Sequence, residues 1–288
     1  MRFQFYHEPA SLRECVQIMA NYGPDAKPLA GGTDLVVKLR AGSLKPKAVI
    51  GLQRLKELTT LGYAAEGGLE IGAMSTLRQV AACKLLEGPY ELIREGARHV
   101  SSMQVRNVAT LGGNTCNASP SADTVPGLIA CDARVRLLSK PGERTLPLED
   151  FFVGPSISAL LPGEVLLSFL VPAALPNTGG SYQKYAIRGD TDIAIVGVAA
   201  RLALGDKREV REARIVMGAV APVPLRARQA EKLLLGQAIT DKLIEEAAIA
   251  AADESRPITD QRATAAYRKE MIRVWTRYAL KEALHRVS

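Results

Sequence analysis

Apolar residues recur along this chain with two alternating periods, and the changes of period mark out its elements. A short extended segment spans Arg2–Tyr6 and ends at Pro9. Ser11 is followed three residues on by Glu14, the spacing of a capping box, and Leu12, Cys15, Val16 and Met19 carry helical spacing to about Tyr22. Lys27–Ala30 reads as a buried strand broken by Gly31-Gly32, with a short helical turn over Thr33–Leu39 and a further strand at Ala48–Gly51. Leu58–Ala65 and Leu69–Ala73 form a hairpin pattern around Glu66-Gly67-Gly68. A second capping box, Thr76 to Gln79, opens a helix to about Leu86, and another helix runs over Tyr90–Val100.

Periodicity then fails. From Val105 to Asp123 small and polar residues predominate, which predicts a long irregular loop; such loops inside compact domains are commonly functional. The apolar run Val125–Cys131 and the strand Ala133–Leu138 follow. Prolines and glycines at Pro162, Gly163, Pro172, Pro176, Gly179 and Gly180 predict a domain boundary within 160–180. Beyond it, Tyr182–Ala186, Ile193–Leu204 and Ile215–Val220 have strand patterning, and Ala227–Leu235, Asp241–Ala252 and Ala263–Leu284 have helical patterning. In the last helix Tyr267, Met271, Val274, Trp275 and Tyr278 are expected to face the core. The whole is an α+β chain of two domains.

Composition narrows the class. Of 288 residues 47% are hydrophobic, enough to fill the cores of one large or two ordinary domains and too many for a disordered chain. The net charge of +7 is spread over the chain, and its basic clusters are interrupted by acidic or apolar residues, so no nucleic-acid partner is expected. Four cysteines show no C-x-x-C and lie far in sequence from the three histidines, so no metal-ligand spacing is visible. No signal peptide is expected, and no apolar run approaches the roughly 18 residues of a membrane span.

Two glycine pairs carry the candidate chemistry: Ala30-Gly31-Gly32-Thr33-Asp34 and Thr110-Leu111-Gly112-Gly113-Asn114. Glycine admits tight turns and brings backbone N–H groups close to a bulky anion, while the flanking hydroxyls and amides offer further donors. Taken alone, the pairs fit either a split diphosphate site or two ordinary strand-ending turns. Neither is a G-x-G-x-x-G fingerprint, and the patterns of Walker A loops and of common hydrolase nucleophiles are absent. Chemistry here falls to a cofactor.

With these residues the chain resembles the FAD-binding medium subunit of the molybdenum hydroxylases, the group of carbon monoxide, xanthine, aldehyde, nicotinate and quinoline oxidoreductases. One match is Lys27 to Leu35. A more specific one is Thr110-Leu111-Gly112-Gly113-Asn114 with Asn117-Ala118-Ser119-Pro120-Ser121-Ala122-Asp123. A weaker one is Lys184 to Arg188 with Asp192, Ile193 and Ala194. Motif order and separation fit over essentially the whole chain.

The resemblance implies a vanillyl-alcohol-oxidase-like FAD-binding domain of two α+β subdomains over 1–172, and a sheet with helices on one face over 176–288. It implies noncovalent FAD held by Lys27, Leu29, Ala30, Gly31, Gly32, Thr33, Asp34 and Leu35 from the first motif. Thr110, Gly112, Gly113 and Asn114 serve the diphosphate and ribityl parts from the second. Asn117 and Asp123 match residues on the sugar-phosphate or ring side, and Lys184 matches a lysine near the flavin ring. On its own chemistry the Asp123 carboxylate should face sugar, where it does not repel phosphate; the plain alternative is a helix N-cap before Pro126. Cys116 reads as a small buried filler.

The implied function is electron transfer within a three-subunit molybdenum hydroxylase. Substrate is oxidised at a molybdenum–molybdopterin centre on a large subunit. Electrons pass through two [2Fe–2S] clusters on a small subunit to this FAD and then to an external acceptor. A dimer of heterotrimers is implied, in the cytoplasm or at the inner face of the membrane by way of the complex. Two other readings remain open from the sequence: a self-contained FAD-dependent oxidase or reductase, and a non-catalytic scaffold or assembly module.

Overall fold

In the computed structural model residues 3–189 and 191–287 are described. Arg2, part of the first predicted strand, lies outside the described residues, as do Met1, Asp190 and Ser288. The observed strand, β1 (Phe5–His7), starts later than expected. It is followed by α1 (Leu12–Tyr22), β2 (Ala26–Leu29), α2 (Leu35–Arg40) and β3 (Ala48–Gly51). Ser11 caps α1 as its spacing predicts, accepting from the Glu14 N–H. The three strands form a parallel sheet in the order β1-β3-β2, with α1 packed on β2 and β3.

The second subdomain contains β4 (Leu61–Tyr63), β5 (Leu69–Gly72), α3 (Leu77–Ala82), α4 (Glu91–Arg98), α5 (Met103–Arg106), α6 (Leu111–Cys116) and α7 (Thr124–Ala130). It continues with β6 (Arg134–Ser139), β7 (Gly142–Pro147), β8 (Phe152–Gly154), β9 (Ile157–Ser158) and β10 (Val165–Val171). The hairpin of β4 and β5 and the full capping box at Thr76–Gln79 match the sequence pattern.

One expectation fails here. The segment from Val105 to Asp123 is not irregular: α5 ends in it, α6 lies within it, and α7 begins at its end. These helices have four to seven residues, too few for a period to show, and tertiary bonds hold them. The Leu111 and Gly112 N–H groups, for example, donate to Ser75 O and Ala73 O. The stretch 160–180, expected to hold a boundary, contains β10, the middle strand of the antiparallel sheet β4-β5-β10-β6-β7, and the chain leaves that sheet after Val171. Val165 and Leu167 enter the core of the first subdomain, whereas Leu166, Phe169 and Val171 enter that of the second. Burial on both faces explains a continuous apolar run with no alternation to read.

The remainder comprises β11 (Thr178–Tyr185), β12 (Val196–Leu204), β13 (Val210–Gly218), β14 (Leu225–Arg226), α8 (Arg228–Leu234), α9 (Asp241–Glu254) and α10 (Ala265–His285). The sheet is antiparallel in chain order. Its own helices cover one face, and α4 and α7 of the preceding domain pack against the strands on the other side. Hence all nine residues of β12 are buried: Val198, Ala200 and Leu202 join the core under α8–α10, while Ala199 joins the core containing α4 and α7.

The face expected to bury α10 is displaced by about one residue. Its buried positions are Arg268, Ile272, Thr276, Ala279, Leu280 and Ala283, whereas Tyr267 and Tyr278 are exposed. Trp275 is half-buried and stacks on Tyr185, with centroids 5.8 Å apart. No aromatic ring stands among the buried positions of α10, and the large rings lie at the margin.

Candidate flavin cleft

A cleft of about 910 Å³ opens where both subdomains meet the C-terminal unit, near the upper end of the range for ligand sites. Both glycine motifs reach it. β2 delivers the first: the chain leaves the sheet at Leu29, and Gln53 fixes the exit by donating from Nε2 to Leu29 O (3.3 Å) and Ala30 O (2.9 Å). Gly32 then turns the chain with φ +74°, a conformation that glycine adopts without penalty. Among the described residues, none of the backbone N–H groups from Gly31 to Leu35 donates to a protein acceptor. Five successive uncommitted donors on residues that line such a cleft can make an anion-binding concavity.

The second motif is built differently. Thr110 caps α6, its Oγ1 accepting from the Gly113 N–H at 3.1 Å, and the N–H of Asn114 donates to Thr110 O. With Leu111 and Gly112 already engaged, this motif has spent its first N–H groups inside the protein. What it offers the cleft is shape and side chains. Asn114 Oδ1 accepts from Thr124 Oγ1 at 2.6 Å, and its Nδ2 has no protein acceptor among the described residues. Gly113 is helical, not left-handed.

The glycines also join the motifs to each other. A Cβ on Gly31 would run into the carbonyl oxygen of Val108, just before the second motif, and one on Gly112 would lie 2.6 Å from Ala73 Cβ. A polar chain ties the rim: Asn117 Nδ2 donates to Asp34 Oδ1 at 3.1 Å, and Lys38 Nζ donates to Asn117 Oδ1 at 2.7 Å.

Thirteen of the fifteen residues expected from the sequence line this cleft; Leu29 and Lys184 do not. Leu29 acts through its carbonyl, which accepts from Leu52 N and Gln53 Nε2. Lys184 is buried, donating to Asp123 Oδ2 at 2.9 Å and to His99 O at 2.8 Å. The other Asp123 oxygen accepts from Tyr182 Oη at 2.8 Å. Asp123 occupies the N-cap position of α7 without a side-chain cap bond, so its carboxylate joins two domains instead. Burial pushes the Asp123 carboxyl above its ordinary range, against the pull of Lys184 and the Tyr182 hydroxyl. Burial, with the nearby carboxylate, also raises the Tyr182 phenol. Burial pushes the Cys116 thiol, on the cleft wall, up to about 12, which leaves it a packing group at neutral pH.

Sequence reasoning missed Gln53, Lys38, and the wall formed by Thr191 beside Asp192 and Ile193. Lys38 was legible in part, because it lies four residues beyond Asp34 and therefore on the same side of α2. Nothing local marks Gln53. Among the described residues no group of three or more His, Cys, Asp or Glu side chains is arranged to hold a metal ion. No helix among them is long and apolar enough to cross a membrane.

Comparison with known proteins places the fold and both domains in one family. Residues 1–174 match the family described as the FAD binding domain in molybdopterin dehydrogenase, and residues 181–283 match the CO dehydrogenase flavoprotein C-terminal domain. The carbon monoxide dehydrogenase medium chain of Hydrogenophaga pseudoflava is 33% identical over 283 residues, covering 98% of this chain and 97% of that one. The xanthine dehydrogenase FAD-binding subunit of Escherichia coli O157:H7 is 30% identical over 283 residues, 98% and 96% of the two chains. A solved structure of the Hydrogenophaga pseudoflava carbon monoxide dehydrogenase, in a form lacking the Mo-pyranopterin moiety, superposes with a TM-score of 0.94 at 33% identity. That superposition covers 100% of this chain and 99% of the other.

Proposed function

Because the chain belongs to the FAD-binding subunits of the molybdopterin dehydrogenases, we propose that it is the electron-transfer subunit of a three-subunit molybdenum hydroxylase. It stands between a small subunit with two [2Fe–2S] clusters and an external electron acceptor, and substrate is oxidised on the molybdenum subunit. Residues 1–172 form the flavin-binding domain and 176–288 the C-terminal domain. The complex is a dimer of heterotrimers, in the cytoplasm or at the inner face of the membrane.

The observation that carries this reading is the row of five unpartnered N–H groups, Gly31 to Leu35, in a cleft walled by the second motif. A diphosphate is the part of FAD that needs such donors. Bound FAD supplies redox chemistry, accepting electrons singly and delivering one or two. The chain's own residues bind and orient. Gly31–Leu35 would hold the diphosphate, and Asn114 Nδ2 would be available to donate to it. Asn117, with Asp34 and Lys38, closes the rim. Asp123 and Lys184 compensate each other beside the cleft, so they bring a fixed dipole and no net charge to it.

The test is the composition of the particle purified through a tag on this chain. Molybdenum, iron and FAD in a ratio of one to four to one, with three chain types on native mass measurement, are expected. A stable, fully active particle of this chain alone would move the reading to a self-contained flavoenzyme.

A further inference from the structure

Arg268 is a cation in the core of the C-terminal unit, its side chain 4% exposed. Its Nη1 donates to Ile195 O at 2.7 Å and to Ala219 O at 3.2 Å, and its Nη2 donates to Asp260 Oδ1 at 2.9 Å. Nε is buried and has no partner. None of the three acceptors lines the cleft, yet Ile195 lies two residues beyond a segment that does, and Ala219 is bonded to another. Ile195 is separated by Ala194 alone from the wall residues Thr191, Asp192 and Ile193, and its own N–H donates to Tyr185 O. Ala219 stands at φ 64°, a left-handed conformation that costs a residue with a Cβ, and its N–H donates to Pro120 O at 2.7 Å. Pro120 lies between Ser119 and Ser121, which line the cleft in the second motif.

One guanidinium thus joins the C-terminal wall to the strand end that grips the second motif. Burying a cation is an expensive way to fill a core, and a well-packed apolar side chain serves stability as well or better. What an apolar chain lacks is the rigid fork of donors that spans acceptors on three separate segments. Asp260 fixes the fork's orientation, itself held by the Arg262 and Ala263 N–H groups. The unpartnered Nε fits a side chain placed for the reach of its Nη groups.

We propose that Arg268 is a positioning residue for the flavin cleft: through the carbonyls of Ile195 and Ala219 it sets the separation between the 191–193 wall and the Ser119–Asp123 segment at which FAD binds. This rests on the FAD reading above. The test uses the tagged full chain with whatever co-purifies. FAD is stripped and titrated back, read by flavin fluorescence and by the visible circular dichroism of the bound flavin. Arg268→Met removes the donors, and Arg268→Lys keeps the charge without the fork. Ile272→Ala, a buried neighbour on the same helix, is the control for lost packing.

Arg268→Met is expected to weaken FAD binding more than tenfold and to change the visible dichroism. Arg268→Lys should fall between it and wild type. Ile272→Ala should lower the urea midpoint and leave both flavin readouts unchanged. If Arg268→Met does not fold, Arg268→Lys and Asp260→Asn carry the same readouts. Wild-type affinity and dichroism in the folded Arg268 variants overturn the proposal, as does an equal loss of affinity in Ile272→Ala. A wild-type chain that takes up no FAD overturns the FAD reading and this proposal together.

Discussion

Adding one methyl group at Gly31 should separate two loops that FAD needs closed. A Cβ built there overlaps Val108 O and lies 2.6 Å from Val108 C and 2.9 Å from Ala109 Cα. Non-bonded carbons rest at about 3.5–4.0 Å, so the 108–109 backbone must withdraw by about 1 Å. Without ligand the loops part and relieve the overlap, so Tm should change little. Binding restores closure, and the strain then appears in the Kd. Overpacking of this kind costs about 1–3 kcal/mol, which is about 5- to 150-fold in affinity. Gly62→Ala is the control, because a Cβ there meets nothing within 4 Å. The assay is titration of the stripped protein with FAD, followed by flavin fluorescence, for wild type and both variants. A Gly31→Ala Kd within twofold of wild type would refute the reasoning, and so would an equal loss in Gly62→Ala.

Three further outcomes are expected. Lys184→Met removes the cation paired with the buried Asp123 carboxylate, leaving it the Tyr182 hydroxyl, and should cost roughly 3–5 kcal/mol in urea unfolding. A folded-state pKa raised further above the unfolded one means that the folded state binds more protons, so this variant should lose stability as pH rises above about 4 more steeply than wild type. Asp260 behaves oppositely: burial pushes its carboxyl up, but the N–H groups of Arg262 and Ala263 and the guanidinium groups of Arg268 and Arg262 outweigh it and hold it at about 2. Its contribution is present above about pH 4 and fades towards pH 2, so Asp260→Asn and wild type should differ in urea midpoint at pH 7 and converge near pH 2. Gln53→Ala frees the exit of β2 by removing two hydrogen bonds at about 0.5–1.5 kcal/mol each, and should weaken FAD several-fold in the same titration.

The features legible in the sequence were local ones. Ser11 and Thr76 announce their helices because a cap is decided within four residues, and the glycine motifs announce close backbone approach. Features fixed by partners far along the chain were not legible. β10 is hard to read as a strand because it shows no alternation, and that follows from its place between two cores. α6 exists because Ser75 and Ala73 accept its first N–H groups. Asp123 resembles a cap until Lys184, 61 residues on, is folded against it. Arg268 resembles one more exposed cation on a charged helix, and only the register of α10 turns it inward.

The central claim is that this cleft holds FAD, noncovalently and by its diphosphate. Denaturing the purified wild-type chain with acid or heat, and then identifying and counting the flavin in the supernatant, tests it most directly. One FAD per chain, fully released, is the predicted result. Flavin retained on the denatured protein, FMN in place of FAD, or no flavin at all would contradict it.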